Sequence, residues 1–329
     1  MLLSIAPIIH EPDDDHCAKT HYTAIKSVLA MFKKAIKQCD FVVGDNCSVN
    51  KKLVKLMSVP LIGCASHRLN LAVKAYTQQH EDELVKIQQL MIKLRTLNQA
   101  SKLLFRTELR PILRQDTRWS STFAMLQRFF ELREHLDHED DTILEILPTL
   151  GETKKLKCLL EDLKKVESAS KRVQSTDATM WEVRTLFDAL VVDFPSFEHY
   201  IGGSANIVGN PNFEKTVTKL QRGRTLTRPE KLAVAALRSN YGADDASDED
   251  AGFAERALKR ARLDDENDTY VLLGAVTPTS NIAERLFSMA RALIGLDRFS
   301  LHPIMIEATF FLKCNCSYWD VSTVHETLE

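Results

Sequence analysis

Three side chains that bind metals or transfer protons lie close together in the sequence: the carboxylate of Asp45, the thiol of Cys64 and the imidazole of His67. Asp45 follows a short apolar run, Phe41–Val43, which is typical of a buried strand. A second short apolar run, Val59–Gly63, leads into Cys64. Because ligands and metals bind at the carboxyl ends of strands in open α/β sheets, we expect these groups to share one sheet edge. Asp45 is therefore a candidate metal ligand.

Helices are predicted on both sides of these strands. Apolar residues recur at three- and four-residue spacing from His16 to Lys37, which indicates an amphipathic helix. A second helix, Lys51–Met57, is expected between the two runs, with Ser48 or Asn50 as its N-cap. Leu2–Ile9 has the composition of a further buried strand. Helical periodicity then continues with few strand-like runs, over Leu69–Tyr76, Glu83–Leu104, Ser121–Leu136, Lys155–Val173, Thr179–Val192 and Phe213–Leu237.

Four blocks carry a resemblance to a known family. They read Asp-Asn-x-Ser-x-Asn at 45–50, Cys-x-x-His-x-Leu-Asn-Leu at 64–71, Thr-Arg-Trp-Ser-Ser at 117–121 and Ser-x-x-x-Glu-Arg-x-Phe-Ser at 280–288. In this order the blocks resemble the core of hAT-family transposases, and the segment 298–320 is similar to the dimerisation region that ends such proteins. The four blocks span nearly the whole chain, so the resemblance is specific although each block alone would be weak.

The resemblance implies a ribonuclease-H-like core that cleaves DNA with two divalent cations held by three carboxylates. One cation activates the attacking water and the other stabilises the leaving oxygen. By motif, Asp45 matches the second carboxylate and Glu284 the third, while the first would stand on a strand upstream of Leu2. We therefore expect a truncated or domesticated relative that has lost phosphodiester hydrolysis. Mg²⁺ is the cation that the family implies, since it prefers carboxylates and phosphates.

Both carboxylates also have structural interpretations. Asp45 could be a turn or capping residue at the end of a strand. Glu284 is predicted on a buried helix with one narrow polar stripe, where it could form an ion pair with Arg285 or Arg291. The neighbouring motif blocks favour the ligand interpretation for both.

The resemblance gives His67 and Trp119 roles beside the cleavage site. It implies that His67 contacts DNA near the scissile phosphate with Cys64 packed beneath it, and a core histidine is the alternative. Trp119 matches the family's stacking tryptophan, which holds a base flipped out of the duplex. A core tryptophan anchoring the following helix is the alternative. Cys64 and His67 have no second pair at ligand spacing, which argues against zinc.

Two groups of basic residues are candidate phosphate contacts. One is a series at four-residue spacing: Arg106, Arg110, Arg114 and Arg118. The other lies closer to Asp45 and is better placed for a substrate strand: Lys51, Lys52 and Lys55. Charged stripes on helices are also typical of solvated faces, so that interpretation stays open for both groups.

The composition excludes several classes of protein. The chain has 329 residues and a formal net charge of −2, so DNA contacts would have to come from local basic clusters rather than a uniformly basic surface. Its seven cysteines lack the spacing of a disulfide framework, which favours a reducing compartment. No apolar run reaches the roughly 18 residues that a transmembrane helix needs, so no membrane partner is expected.

The predicted fold class is α/β with dominant helix: a partial ribonuclease-H-like sheet, with its first two strands missing, interrupted by a large all-α insertion. Residues 1–68 are assigned to the partial core and 69–238 to the helical insertion. Residues 239–268 alternate acidic and basic blocks, which predicts a disordered linker. Residues 269–329 contain the late helix of the core and the dimerisation segment.

The function that follows is a catalytically inactive, transposase-like protein that dimerises and binds DNA without sequence specificity. The predicted dimerisation residues are the apolar Phe310, Phe311 and Trp319 near the C-terminus. A nuclear location is predicted, and the basic run Lys259–Arg262 has the composition of an import signal as well as of an exposed helix. A protein-interaction scaffold unrelated to DNA is the alternative function.

Overall fold

The computed structural model describes residues 2, 4, 15–115, 118–237, 270–294, 303–320 and 322–323. The predicted linker 239–268, with the basic run Lys259–Arg262, lies outside the described residues, as does most of the predicted strand Leu2–Ile9. Leu2 itself is described: its N–H donates to Asn315 Oδ1 (2.9 Å), and Asn315 Nδ2 donates to the Leu2 carbonyl (2.7 Å).

The chain forms two compact units, each of which is described by itself. Unit 1 contains Met1–Cys64 and Val208–Glu329, and unit 2 contains Ala65–Ile207. Residues 208–237, which are predicted from the sequence to be part of the helical insertion, belong to unit 1. None of the described helices combines the length and the apolar character needed to cross a bilayer.

The first elements of unit 1 among the described residues are two α-helices and two short strands: α1 (Ala18–Met31), β1 (Val42–Gly44), α2 (Ser48–Met57) and β2 (Leu61–Gly63). The strands pair in parallel. Buried Ala18, Leu53 and Met57 pack α1 against α2. Cys47 caps α2, since its Sγ accepts a hydrogen bond from Asn50 N (3.4 Å), so the predicted caps Ser48 and Asn50 are wrong.

Unit 2 is helical in all of its described elements. They are α3 (Ala65–Thr77), α4 (Glu81–Leu94), α5 (Leu97–Leu104), α6 (Trp119–Leu132), α7 (Asp141–Leu144), α8 (Leu150–Val173), α9 (Met180–Asp193) and α10 (Glu198–Ile201). Their apolar faces form one core that includes the fully buried Phe129, Phe187 and Phe197. The helical periodicity of this stretch therefore predicted its helical character correctly, but the single helix predicted over Glu83–Leu104 is two helices, α4 and α5.

In the described residues, the later part of unit 1 adds four α-helices: α11 (Pro211–Gln221), α12 (Arg228–Ala233), α13 (Asn281–Ile294) and α14 (Pro303–Cys314). The start of α11 lies against β2. Leu61 N donates to Asn210 Oδ1 (2.9 Å) and Gly63 N donates to the buried Glu214 Oε1 (3.4 Å). Side chains thus satisfy the two N–H groups that a third strand would otherwise pair with on this edge. The described chain is a helix-dominated α/β protein with one two-stranded parallel sheet.

Candidate functional site

Asp45 lies directly after the last residue of β1, as the sequence predicts. Its Oδ1 accepts a hydrogen bond of 2.6 Å from Asn50 Nδ2, which also donates to the Asp45 carbonyl at 3.2 Å. Asn50 Nδ2 thus donates to two oxygens of Asp45, one in the side chain and one in the backbone. The Asn50 side chain therefore holds the carboxylate against the first turn of α2 and does not cap that helix. Asp45 remains partly exposed to solvent.

Cys64 joins the end of the sheet to the last motif block. Its N–H donates to the Gly44 carbonyl at 2.7 Å, which extends the strand pairing by one residue. Its Sγ, which is buried, accepts a hydrogen bond of 3.4 Å from Ser280 N. Ser280 directly precedes α13, and its carbonyl accepts from Ala283 N in the first turn. The start of the Glu284 helix is therefore bonded to the strand end that borders Asp45.

Glu284 lies one turn into α13 and is exposed. The helix was expected to be buried around a narrow polar stripe, and this expectation is wrong. Ile282 is 57% exposed and Phe287 66%, because no described element covers this side of α13. The Glu284 carbonyl accepts a hydrogen bond of 3.0 Å from Ser288 Oγ within the helix.

The described residues contain no group of three His, Cys, Asp or Glu side chains arranged to hold a metal ion. Nδ2 of Asn281, at the start of α13, is a buried donor without a hydrogen-bond partner in the described chain. Magnesium stays a prediction from the resemblance, and no chemical step is derived through it.

Two motif blocks meet inside unit 2. Asn70 Oδ1 accepts a hydrogen bond of 3.0 Å from Trp119 N, so a residue of the second block caps the helix that begins in the third. Trp119 is only 6% exposed and belongs to the core of the unit, where its ring lies 6.3 Å from that of Phe123. This burial favours the core interpretation of Trp119. His67 is the third residue of α3 and is partly exposed.

Two of the four residues of the arginine series are paired with carboxylates. Arg114 donates to Glu81 through both terminal nitrogens, and these hydrogen bonds lower the pKa of Glu81. Arg106 Nη2 lies 3.4 Å from Asp137 Oδ1. The side chains of Arg110 and Arg118 are exposed. A continuous phosphate track along these four arginines is therefore not supported by the described contacts.

A larger group of cations lies in α1, α2 and the segment between them. We call it the lysine surface; it comprises Lys19, Lys26, Lys33, Lys34, Lys37, Lys51, Lys52 and Lys55. Seven of these side chains are exposed and that of Lys51 is partly exposed. None forms an ion pair with another described residue, and residues 15–64 contain only three acidic side chains, all aspartates. Sequence reasoning singled out only the three lysines of α2, although Lys19, Lys26 and Lys33 recur at seven-residue spacing.

The predicted dimerisation residues differ in exposure. Phe310 is buried inside the chain at 2% exposure, while Phe311 and Trp319 are partly exposed. The Trp319 indole donates a hydrogen bond of 2.9 Å to the Leu312 carbonyl, which holds it on the end of α14. The more exposed apolar side chains of α13, α14 and the following turn are Ile282, Phe287, Ile304, Met305, Leu312 and Tyr318.

Comparison with known families gives no family model that matches this chain, and comparison with curated proteins gives no match either.

Proposed function

We propose that this chain is a hAT-transposase-like protein that binds duplex DNA through its phosphates, associates with itself and does not cleave DNA on its own. The observation that carries the proposal is the hydrogen bond from Ser280 N to Cys64 Sγ, which joins motif blocks 216 residues apart. Such a contact is expected if the blocks belong to one site. By motif the chain supplies two of the three carboxylates of that site, Asp45 and Glu284.

A partial ribonuclease-H-like core is part of the same proposal. It is supported by the parallel order β1, α2, β2, with a carboxylate at the end of β1 and a late helix starting at the end of β2. It is further supported by the position of unit 2 in the chain, since this helical unit follows β2 and precedes the late helix. Two strands alone are common to many α/β folds, so the motif contacts carry most of the argument.

The lysine surface is the proposed DNA contact. Eight lysines without described ion-pair partners form a local excess of positive charge in a chain whose formal net charge is −2. Duplex DNA binds such a surface with release of counterions, which makes the affinity fall steeply with salt. Lysines on a solvated helix offer no base-specific geometry, so this contact is expected to be insensitive to sequence. A nuclear location stays a prediction that agrees with DNA as the partner.

Replacing Lys52 and Lys55 with glutamate should weaken binding of a random 30-base-pair duplex. We expect at least a tenfold rise in Kd at about 50 mM salt, because two side chains that attract phosphates would then repel them. The slope of log Kd against log salt should fall by about 0.9 for each phosphate that is no longer neutralised. Fluorescence anisotropy over a range of salt concentrations measures both quantities.

Lys154 and Lys157 provide the matched control, since they are exposed on α8 at the same three-residue spacing and form no ion pair with described residues. Their replacement with glutamate should leave Kd within about twofold of wild type. If both pairs of substitutions weaken binding equally, DNA affinity depends only on the net charge of the chain, which would contradict a specific lysine surface.

Magnesium-dependent nicking of plasmid DNA that disappears in Asp45→Ala would contradict the proposed inability to cleave.

Self-association is proposed through the exposed apolar side chains of α13 and α14. Leu312→Glu should shift the chain toward the monomer in sedimentation velocity, because a charge would enter the apolar contact. Leu56→Glu is the control, since Leu56 is similarly exposed (53% against 46% for Leu312) but lies on α2. An unchanged distribution in Leu312→Glu would contradict this surface. Self-association without any DNA binding would favour the scaffold alternative.

A further inference from the structure

Unit 2 exposes an apolar strip on α5 and its C-cap. Leu97 is 87% exposed, Leu104 55% and the C-cap residue Phe105 91%. Leu97 and Leu104 are seven residues apart, so they lie two turns apart on one helix face, about 10 Å from each other. Ser101 lies between them on the same face and is also exposed. We call Leu97, Leu104 and Phe105 the α5 strip.

The α5 strip is exposed although α5 also has a buried face. The opposite side of α5 is buried through Leu103, at 3% exposure, and Gln99, whose Nε2 donates to Asp140 Oδ2 at 2.7 Å. The helix therefore has one face in the core of unit 2 and a second apolar face in solvent. Large exposed apolar groups in contiguous positions are typical of binding surfaces.

Charged residues beside the α5 strip indicate the sign of the charge that a partner would carry. Lys93 and Arg95 precede Leu97 and have no carboxylate within ion-pair distance among the described residues. Lys102 and Arg106 follow along α5, and both approach Asp137, at 3.3 Å and 3.4 Å. The uncompensated charge at the Leu97 end is thus positive. That end also carries the first turn of α5, whose N-cap Thr96 makes no side-chain cap hydrogen bond.

From these observations we propose that the α5 strip binds an acidic amphipathic helical segment of a partner protein. The partner would place large apolar side chains at i, i+3 or i+4 and i+7 on the strip, with aspartate or glutamate near Lys93 and Arg95. A second copy of this chain fits less well, because a parallel two-fold contact would bring the same cations together and an antiparallel one would place Lys93 and Arg95 beside Lys102 and Arg106. Duplex DNA fits less well, because its phosphates offer no apolar partner to Leu97 and Leu104. This binding is independent of the function proposed above.

The test uses the full chain and a fluorescein-labelled synthetic 16-residue peptide with Leu and Phe at helical spacing and Asp or Glu elsewhere. Wild-type protein should bind this peptide at least tenfold more tightly than a scrambled peptide of the same composition. The double variant Leu97→Ser, Phe105→Ser should bind at least tenfold more weakly than wild type. Arg95→Glu should weaken binding and reduce its salt dependence. Because these side chains are exposed, the variants should keep the wild-type circular dichroism and melting temperature.

Leu150→Ser and Val192→Ser together form the matched control, since these residues are 77% and 79% exposed elsewhere on unit 2. This control should bind the peptide as wild type does. Three results would overturn the proposal: equal binding of the scrambled peptide, an unchanged affinity in the strip variant, or an equal weakening in the control. Loss of self-association in the strip variant without peptide would identify the strip as a chain–chain contact and would also overturn it.

Discussion

Replacing Arg68 with leucine is expected to lower the free energy of unfolding of unit 2 by about 3 kcal/mol. Arg68 is only 4% exposed. Its Nε donates to the Tyr200 carbonyl at 3.1 Å and its Nη2 donates to the Gly202 carbonyl at 3.0 Å. These carbonyls belong to the end of α10, where helix geometry leaves the last C=O groups without partners. Leucine would fill part of the volume but leave both acceptors unsatisfied.

The guanidinium of Arg68 also lies 5.9 Å from the centre of the Phe187 ring, and that of Arg184 lies at the same distance. The two arginines thus share one aromatic ring while Arg184 donates to the Ile201 carbonyl at 2.6 Å. Arg68→Lys should destabilise unit 2 less than Arg68→Leu, because lysine keeps the charge but lacks the planar fork that reaches two carbonyls.

Urea unfolding followed by tryptophan fluorescence measures this effect, since Trp119 and Trp181 lie in unit 2. The midpoint should fall while the m-value stays near that of wild type. Arg133→Leu is the control, because Arg133 is exposed and should change stability by less than about 0.5 kcal/mol. Similar destabilisation in the two variants would contradict a special role for Arg68.

Replacing Trp119 with alanine is the second change with a large expected effect. We expect the free energy of unfolding to fall by about 3–5 kcal/mol, because removing a buried indole leaves a large cavity in a packed core. Trp119 packs within the unit 2 core and starts α6 under the Asn70 cap. If the main role of Trp119 is packing, Trp119→Phe should lose much less stability than Trp119→Ala and should bind DNA with the wild-type affinity.

The stacking interpretation makes the opposite prediction for the same variants. An indole that holds a flipped base contributes about 1–3 kcal/mol to binding, so Trp119→Phe would then weaken binding to DNA with an unpaired base while leaving paired duplex unaffected. Native stability together with such a selective weakening would contradict the core assignment. Anisotropy with duplexes that differ by one unpaired base, combined with urea unfolding, distinguishes the two roles. Phe123→Leu serves as a packing control, since its ring lies beside that of Trp119.

Local sequence determined most of the helices correctly, and the differences have identifiable causes. The helix predicted from Lys155 begins at Leu150, because Thr149 and Glu152 form a capping box. That signal is local and can be read from the sequence. The helix predicted from Ser121 begins at Trp119, because Asn70 Oδ1 accepts from its N–H. This cap comes from a residue 49 positions away and leaves no local signal.

Whether a basic residue can bind a phosphate depends on the tertiary contacts of its side chain. Arg106 and Arg114 have the spacing of a phosphate-binding series, yet Asp137 and Glu81 lie close enough to pair with them. The lysines of α1 and α2 have no such partners among the described residues. Spacing along a helix predicts which side chains share a face, but it carries no information about which charges the rest of the fold brings to that face.

From the sequence alone follow the helical character of residues 69–207, the two short strands, and the position of Asp45 at a strand end. Only the tertiary structure decided that Ser280 bonds to Cys64, that Glu214 closes the edge of β2, and that Trp119 is buried. The physical reason is the range of the interactions. Periodicity and capping act within a few residues, whereas a hydrogen bond or an ion pair between distant residues exists only after the chain has folded around both of its partners.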